Sequence, residues 1–200
     1  MSADATPPVW AESILRVVLK RTDFDSVSGD LLEEYREVVY PARGRDGADR
    51  WYVAQVVGFG MRSFAVWGVL FGAAAVARDA LDQFVPTQDF ALRSAVSTYV
   101  GVSILLVTGF WSAWRSGSFA AGTLAGVVAA TVGAVISISG STVMLALFHD
   151  PETLAAIDAS GGLGEAFTLP ITMIVPGLIL GTLGGALGAA ANRTLRSATH

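Results

Sequence analysis

A stretch of 33 residues, 116–148, contains no Asp, Glu, Lys or Arg and constrains the fold of this chain more than any other feature. A helix rises about 1.5 Å per residue and a bilayer core is roughly 30 Å thick, so about 20 apolar residues span it. The stretch is therefore long enough to cross a membrane once and too short to cross it twice. It predicts a membrane-embedded helix bundle.

Glycines recur every seven residues inside this stretch, which places them near one face of a helix. Lipid gives helices no hydrophobic reason to associate, so small residues that allow close backbone approach take over that role. A second series, with a spacing of four, follows near the C-terminus. The predicted helix-packing positions are Gly126, Gly133, Gly140, Gly177, Gly181 and Gly185. We expect the third and fourth spans to cross closely, with Gly133 and Gly181 near the contact.

The charged residues are concentrated at the N-terminal end of the chain. Residues 1–52 hold 17 of the 30 Asp, Glu, Lys and Arg. The whole chain is 52% hydrophobic and 15% charged, against about 25% charged in an ordinary soluble domain. This asymmetry predicts a cytoplasmic helical head over residues 1–48 and a membrane domain over residues 49–196.

The hydropathy pattern predicts an all-α fold, a four-helix transmembrane bundle that carries a small N-terminal head. The predicted spans are residues 53–77, 94–114, 118–148 and 167–191. The first span is expected to continue a helix that starts near Asp49 and to include Arg62. Pro170 and Pro176 are expected to kink the fourth span.

Basic residues predict the orientation, because Lys and Arg accumulate on the cytoplasmic side of membrane proteins. With four spans, eleven of the 13 Lys and Arg lie on one side and two, Arg78 and Arg93, on the other. We therefore expect a protein of the bacterial cytoplasmic (inner) membrane with both termini in the cytoplasm.

The head is expected to contain two amphipathic helices, separated by a break at residues 22–29 and followed by a basic loop at residues 41–47. Their apolar stripes predict one small cluster, completed either by Trp51, Tyr52 and the base of the first span or by the membrane surface. The stripe residues are Trp10, Ile14, Val17, Leu31, Tyr35 and Val38.

Two motifs in the head, GDLLEEYRE at residues 29–37 and WYVAQ at residues 51–55, carry a resemblance. The region of residues 10–60 resembles the bacterial permease prefix domain, a helical module that precedes the membrane part of macrolide-exporter-type ABC permeases. Those permeases insert a large extracytoplasmic domain between their first two spans, where this chain has only about fifteen residues. The resemblance implies a shared cytoplasmic docking module, and it does not imply that this chain is such a permease.

Two candidate sites follow from charge. Glu33, Glu34 and Glu37 are expected either to dock on a basic partner or to form a solvated helix face. Arg62 is expected either to contact an anion, a headgroup or a charge inside the bundle, or to extend its side chain to the headgroups.

No enzyme, cofactor or metal site is predicted. The chain has no cysteine and only two histidines, His149 and His200, and no nucleophile–base set is visible. The net charge of −4 argues against nucleic-acid binding.

The leading interpretation is a non-enzymatic accessory or interaction subunit of the bilayer whose head docks on an ABC-type permease, another membrane protein or its own copy. The alternative is a small homo-oligomeric transporter or channel with a path along the glycine and serine stripe of the third span.

Overall fold

The computed structural model describes residues 5–19, 21–85, 90–148 and 162–197, and within these ranges the chain is almost entirely helical without a strand. The helices are α1 (Val9–Val18), α2 (Arg21–Glu34), α3 (Tyr40–Phe84), α4 (Phe90–Ser116), α5 (Phe119–Leu147), α6 (Gly162–Thr172) and α7 (Ile174–Ser197), with a π-helical turn (Tyr35–Val39) between α2 and α3. The all-α prediction is confirmed.

Four helical runs are long and apolar enough to cross a membrane, as expected of a multi-pass membrane protein. They are α3, α4, α5 and the region that α6 and α7 share. Three of the predicted spans lie within one of these runs, and the predicted third span, residues 118–148, exceeds its run, Phe119–Leu147, by one residue at each end. The observed α3 is longer than predicted. Its 45 residues are about twice the number that a bilayer core requires. Its first half belongs to the head and its second half to the bundle.

The connections inside the head differ from the predicted ones. The break between the first two helices lies at Leu19, and α2 already begins at Arg21, so the predicted break at residues 22–29 is wrong. The predicted loop at residues 41–47 is instead the kinked start of α3. Pro41 fits there because backbone N–H groups in the first turn of a helix have no partner within the helix. Gly44 makes the kink with a positive φ of 65°.

The third span, α5, is the centre of the bundle and contacts α1, α3, α4, α6 and α7. Its buried surface consists entirely of Ala, Gly and Ser. These buried residues are Ala121, Gly122, Ala125, Gly126, Ala129, Ala130, Gly133, Ala134 and Ser137. Small side chains let several helices lie close to α5 at once.

The third and fourth spans cross with their backbones in contact, as predicted. A Cβ atom added to Gly181 of α7 would lie 2.8 Å from the carbonyl oxygen of Gly122 and 2.8 Å from the Cα atom of Gly126. A Cβ atom on Gly177 or Gly185 would also meet α5, at Gly126 and at Gly122. Neighbouring glycines of α7 face α4 in the same way, so α7 lies between α4 and α5.

The expected position of Gly133 at this crossing is wrong. A Cβ atom on Gly133 would collide with the ring of Phe71 in α3, and one on Gly140 would collide with Val76. The seven-residue glycine series therefore divides between two neighbours. A helix has 3.6 residues per turn, so positions seven residues apart shift gradually around its surface. Gly126 therefore faces α7, whereas Gly133 and Gly140 face α3.

The fourth span is interrupted at Met173, between α6 and α7. Pro176 follows three residues later and has no N–H to donate to the carbonyl of Thr172. The chain continues through hydrogen bonds from the Met173 amide to Leu169 (3.2 Å) and from the Gly177 amide to Met173 (2.9 Å). This single interruption lies between the two predicted proline kinks.

The glycine crossing predicts a steep difference between two leucine substitutions on α7. Gly181→Leu places a large side chain into the backbone of α5, so we expect the unfolding free energy in detergent to fall by about 2 kcal/mol or more. Ala186→Leu is the matched control, because Ala186 is exposed on the same helix. Thermal unfolding followed by circular dichroism measures both. Equal stability of the two variants would contradict the backbone contact.

Candidate functional site

The head has a small core built around two tyrosines. The Tyr35 and Tyr52 rings meet edge to face, with centroids 6.0 Å apart. The Tyr35 hydroxyl donates a hydrogen bond of 2.6 Å to Asp49, which joins the π-helical turn to the base of α3. The buried residues of this core are Ala5, Ala11, Leu15, Leu31, Tyr35, Val39, Ala48, Tyr52 and Val56, and Ile14 and Trp51 pack against it.

The predicted head cluster is correct for Ile14, Leu31, Tyr35, Trp51 and Tyr52, and wrong for the other stripe residues. Trp10 is 57% exposed and Val38 is 60% exposed, whereas Val17 is half-buried outside this core. In α1 the buried stripe is Ala11, Leu15 and Val18, one position further along. After Tyr35 the wide π turn places Val39, four residues on, in the core in place of Val38.

The segment before α1 is part of this core. Ala5 and Pro7 are buried, and the Arg36 guanidinium donates a hydrogen bond of 2.9 Å from Nε to the Ala5 carbonyl. The Thr6 carbonyl lies 3.4 Å from the Tyr35 hydroxyl. Sequence analysis missed this contact, because a short segment of small residues and prolines carries no periodic signal.

An acidic surface lies on the outside of this core. Glu33, Glu34 and Glu37 are exposed and, with Asp30 and Val38, line one shallow depression. The structure thus brings the three predicted docking residues together and adds an exposed apolar side chain to them. We call these five residues the acidic surface. Because its backbone is held by the Tyr35 and Arg36 contacts, it is presented on a rigid support.

The head is packed on the bundle and is not separated from it by a linker. Val18 at the end of α1 packs with Phe64 of α3 and Ala125 of α5. Because α3 runs without interruption across residues 48 and 49, the position of the head follows from that of the first span. The acidic surface therefore has a fixed orientation relative to the bundle.

Arg62 lies on α3 at the end of the bundle that carries the head. Its side chain is exposed and points away from the protein interior, whereas Phe64, two residues on, is buried against α5. This placement disfavours an ion pair inside the bundle and leaves a headgroup or another anion as the contact of its guanidinium.

Polar contacts between spans join pairs that sequence analysis did not single out. Ser141 donates a hydrogen bond of 3.0 Å to Asp79, and the Thr123 and Thr182 hydroxyls lie 3.0 Å apart. The Asn192 amide donates to the Trp114 carbonyl. An Asn or Asp at the edge of an apolar run is the signal that could have indicated the first and last of these contacts.

Two further polar residues of α5 bond to their own helix. Ser139 donates to the Val135 carbonyl and Thr142 to the Ile138 carbonyl, each at 2.7 Å. Both side chains are exposed on the outside of the bundle. These hydroxyls are thereby satisfied locally, as is common for Ser and Thr in helices.

Within residues 5–19, 21–85, 90–148 and 162–197, no group of three His, Cys, Asp or Glu side chains is placed to hold a metal ion. Comparison of the chain with protein-family models, with curated proteins and with solved structures gave no match. Functional inference therefore rests on the geometry of the acidic surface and of the bundle.

The core of the head predicts a measurable role for one hydroxyl group. Tyr35→Phe removes the donor to Asp49, a partly buried carboxylate, so we expect a loss of about 1–2 kcal/mol in unfolding free energy. Tyr99→Phe is the control, because Tyr99 is 72% exposed on α4. Thermal unfolding in detergent measures the difference, and a Tyr35→Phe variant as stable as Tyr99→Phe would contradict the structural role of this bond.

Proposed function

We propose that this protein is a non-enzymatic accessory subunit of the bacterial inner membrane that docks on another membrane protein through its cytoplasmic head. The observation that carries the proposal is the acidic surface, where Glu33, Glu34 and Glu37 surround the exposed Val38. An exposed apolar side chain beside carboxylates suits a docking surface, because apolar contact supplies affinity and charge supplies specificity.

The chemistry of the surface defines the partner. Glu33, Glu34 and Glu37 favour a basic surface, and Val38 favours an apolar side chain at its centre. The motifs GDLLEEYRE and WYVAQ, which resemble the permease prefix domain, make an ABC-type permease the first partner to test. Within these motifs, Leu31, Tyr35 and Tyr52 belong to the core beneath the acidic surface. A second copy of this chain is the other partner of this kind.

The alternative function, a homo-oligomeric transporter or channel, has less support. A path along the third span would use the stripe of Gly133, Ser137 and Gly140. Phe71 fills the space at Gly133 and Val76 fills the space at Gly140, while Ser137 is buried. This packing favours the accessory role over conduction along the stripe.

The proposed orientation places the head, Arg115, Arg193 and Arg196 in the cytoplasm. After Arg196, a reporter that works in the cytoplasm should then be active and one that works outside the cytoplasm should be inactive. At Ser160 the opposite result is expected. Alkaline phosphatase and a fluorescent protein are suitable, because each is active on one side of the membrane. The opposite pattern at either position would contradict the proposed four-span orientation.

Reversal of the three glutamates tests the docking surface. Because Glu33, Glu34 and Glu37 are exposed, their joint substitution by Lys should change the melting temperature of the protein very little. The same substitution should abolish recovery of the partner when the full-length protein is cross-linked in native membranes, purified in mild detergent and examined by mass spectrometry.

A triple reversal of Asp23, Asp25 and Asp46 to Lys is the matched control. These residues are exposed in the head, lie outside the acidic surface and change the net charge by the same amount. The control should keep the partner. A partner that survives the Glu33, Glu34 and Glu37 reversal would overturn the docking proposal.

A further inference from the structure

An apolar groove runs along the outer side of the third span, beside the first. Met61 of α3 lines it together with residues of α5 from Val127 to Ile136. The one hydroxyl in the lining belongs to Thr131, and it donates to the Val127 carbonyl of its own helix at 2.8 Å. The lining therefore offers an occupant van der Waals contact and no free hydrogen-bond donor, which is the environment that suits a hydrocarbon chain.

The depth of the groove follows from the register of the two helices. The first and third spans run in parallel, with Gly68 against Val132, Gly72 against Ile136 and Val76 against Gly140. The residue numbers of the three pairs differ by the same amount, and this register places Arg62 level with Gly126. The groove thus begins at the level of Arg62 and continues away from the head.

The length of the groove matches one leaflet. From Val127 to Ile136 the helix rises about 14 Å, close to half of a hydrocarbon core roughly 30 Å thick. Arg62 and Arg78 lie about 24 Å apart along α3, which is slightly less than the thickness of the hydrocarbon core. When the first span is centred in the bilayer, each arginine therefore lies slightly inside one boundary of that core. The groove therefore extends from the head-side boundary to about the middle of the bilayer.

The Arg62 guanidinium presents a positive charge at this level. The sequence has no Asp or Glu between Trp51 and Ala77, nor anywhere in α5. Arg62 is exposed and directly follows Met61, a groove residue. A guanidinium binds phosphate with paired hydrogen bonds, and it does so more strongly where water is scarce.

We propose that an anionic phospholipid of the head-side leaflet occupies this groove, with one acyl chain along α5 and its phosphate against the Arg62 guanidinium. The apolar lining, the one-leaflet length and the cation at the mouth all fit this occupant. Val128 of the groove lining also packs against the cluster of Val18, Phe64 and Ala125, which joins the head to the bundle.

Spin-labelled lipids test the proposal directly. The full-length protein is reconstituted in phosphatidylcholine vesicles with a trace of phosphatidylglycerol or phosphatidylcholine labelled near the end of the acyl chain. Electron spin resonance then measures the fraction of each lipid immobilised by the protein. We expect wild type to prefer phosphatidylglycerol about fivefold, which corresponds to about 1 kcal/mol for a basic residue near the membrane surface.

Two substitutions should each remove this preference, for different reasons. Arg62→Gln removes the cation and keeps a long polar side chain. Thr131→Trp fills the groove from an exposed position. The controls are Arg50→Gln, an exposed arginine of the head region, and Val143→Trp, an exposed residue of α5 outside the groove, and both should keep the preference.

The remaining outcomes would overturn the proposal. Wild type without a phosphatidylglycerol preference, or a preference that survives either Arg62→Gln or Thr131→Trp, would mean that no anionic lipid occupies the groove.

A second copy of the chain is the competing occupant. Because the chain has no native cysteine, Thr131→Cys reports on it: efficient disulfide cross-linking between copies in dilute vesicles would assign the groove to a protein contact.

Discussion

Direct contact between helix backbones at Gly122, Gly126 and Gly181 underlies the arrangement of the spans. A bilayer solvates leucine as well as a protein core does, so apolar side chains alone give membrane helices little reason to associate. Removing side chains from the crossing brings the backbones together and gains van der Waals contact that lipid cannot supply. The third span can contact neighbouring helices closely on several sides, because all its buried residues are small. The positions of the other three spans follow from their contacts with it.

The head depends on the same framework. It is too small to bury much apolar surface alone, and its core is completed by Tyr52 and Val56, which belong to the helix that becomes the first span. The end of α1 then packs on the bundle through Val18. Head and membrane domain are thus joined by a continuous helix and by side-chain packing. A partner bound at the acidic surface would be held at a defined height and rotation above the membrane.

Two surfaces of this protein are proposed as binding sites. The acidic surface combines Glu33, Glu34 and Glu37 with an apolar, exposed Val38. The groove beside Arg62 combines an apolar lining with a cation at its mouth and faces lipid. In both places charge and apolar contact act together, which is how binding sites gain specificity without catalytic groups. The acidic surface lies on α2 and the π-helical turn, and the groove lies between α3 and α5, so a protein partner and a lipid would bind at separate places.

The sequence by itself determined the all-α class, the four apolar runs and the glycines that pack them, because these depend on local composition and on the length that a bilayer requires. It also indicated Leu31, Tyr35 and Tyr52 as head core. Only the tertiary structure decided which neighbour each glycine meets. Gly126 and Gly133 look equivalent in a seven-residue series, yet one faces α7 and the other faces Phe71 of α3. The sequence also did not determine the rotation of α1 that buries Leu15, or the π turn that exposes Val38. Adjacent apolar stripes on a short helix have nearly the same hydrophobicity, and the choice between them is made by the shape of the surface against which the helix packs.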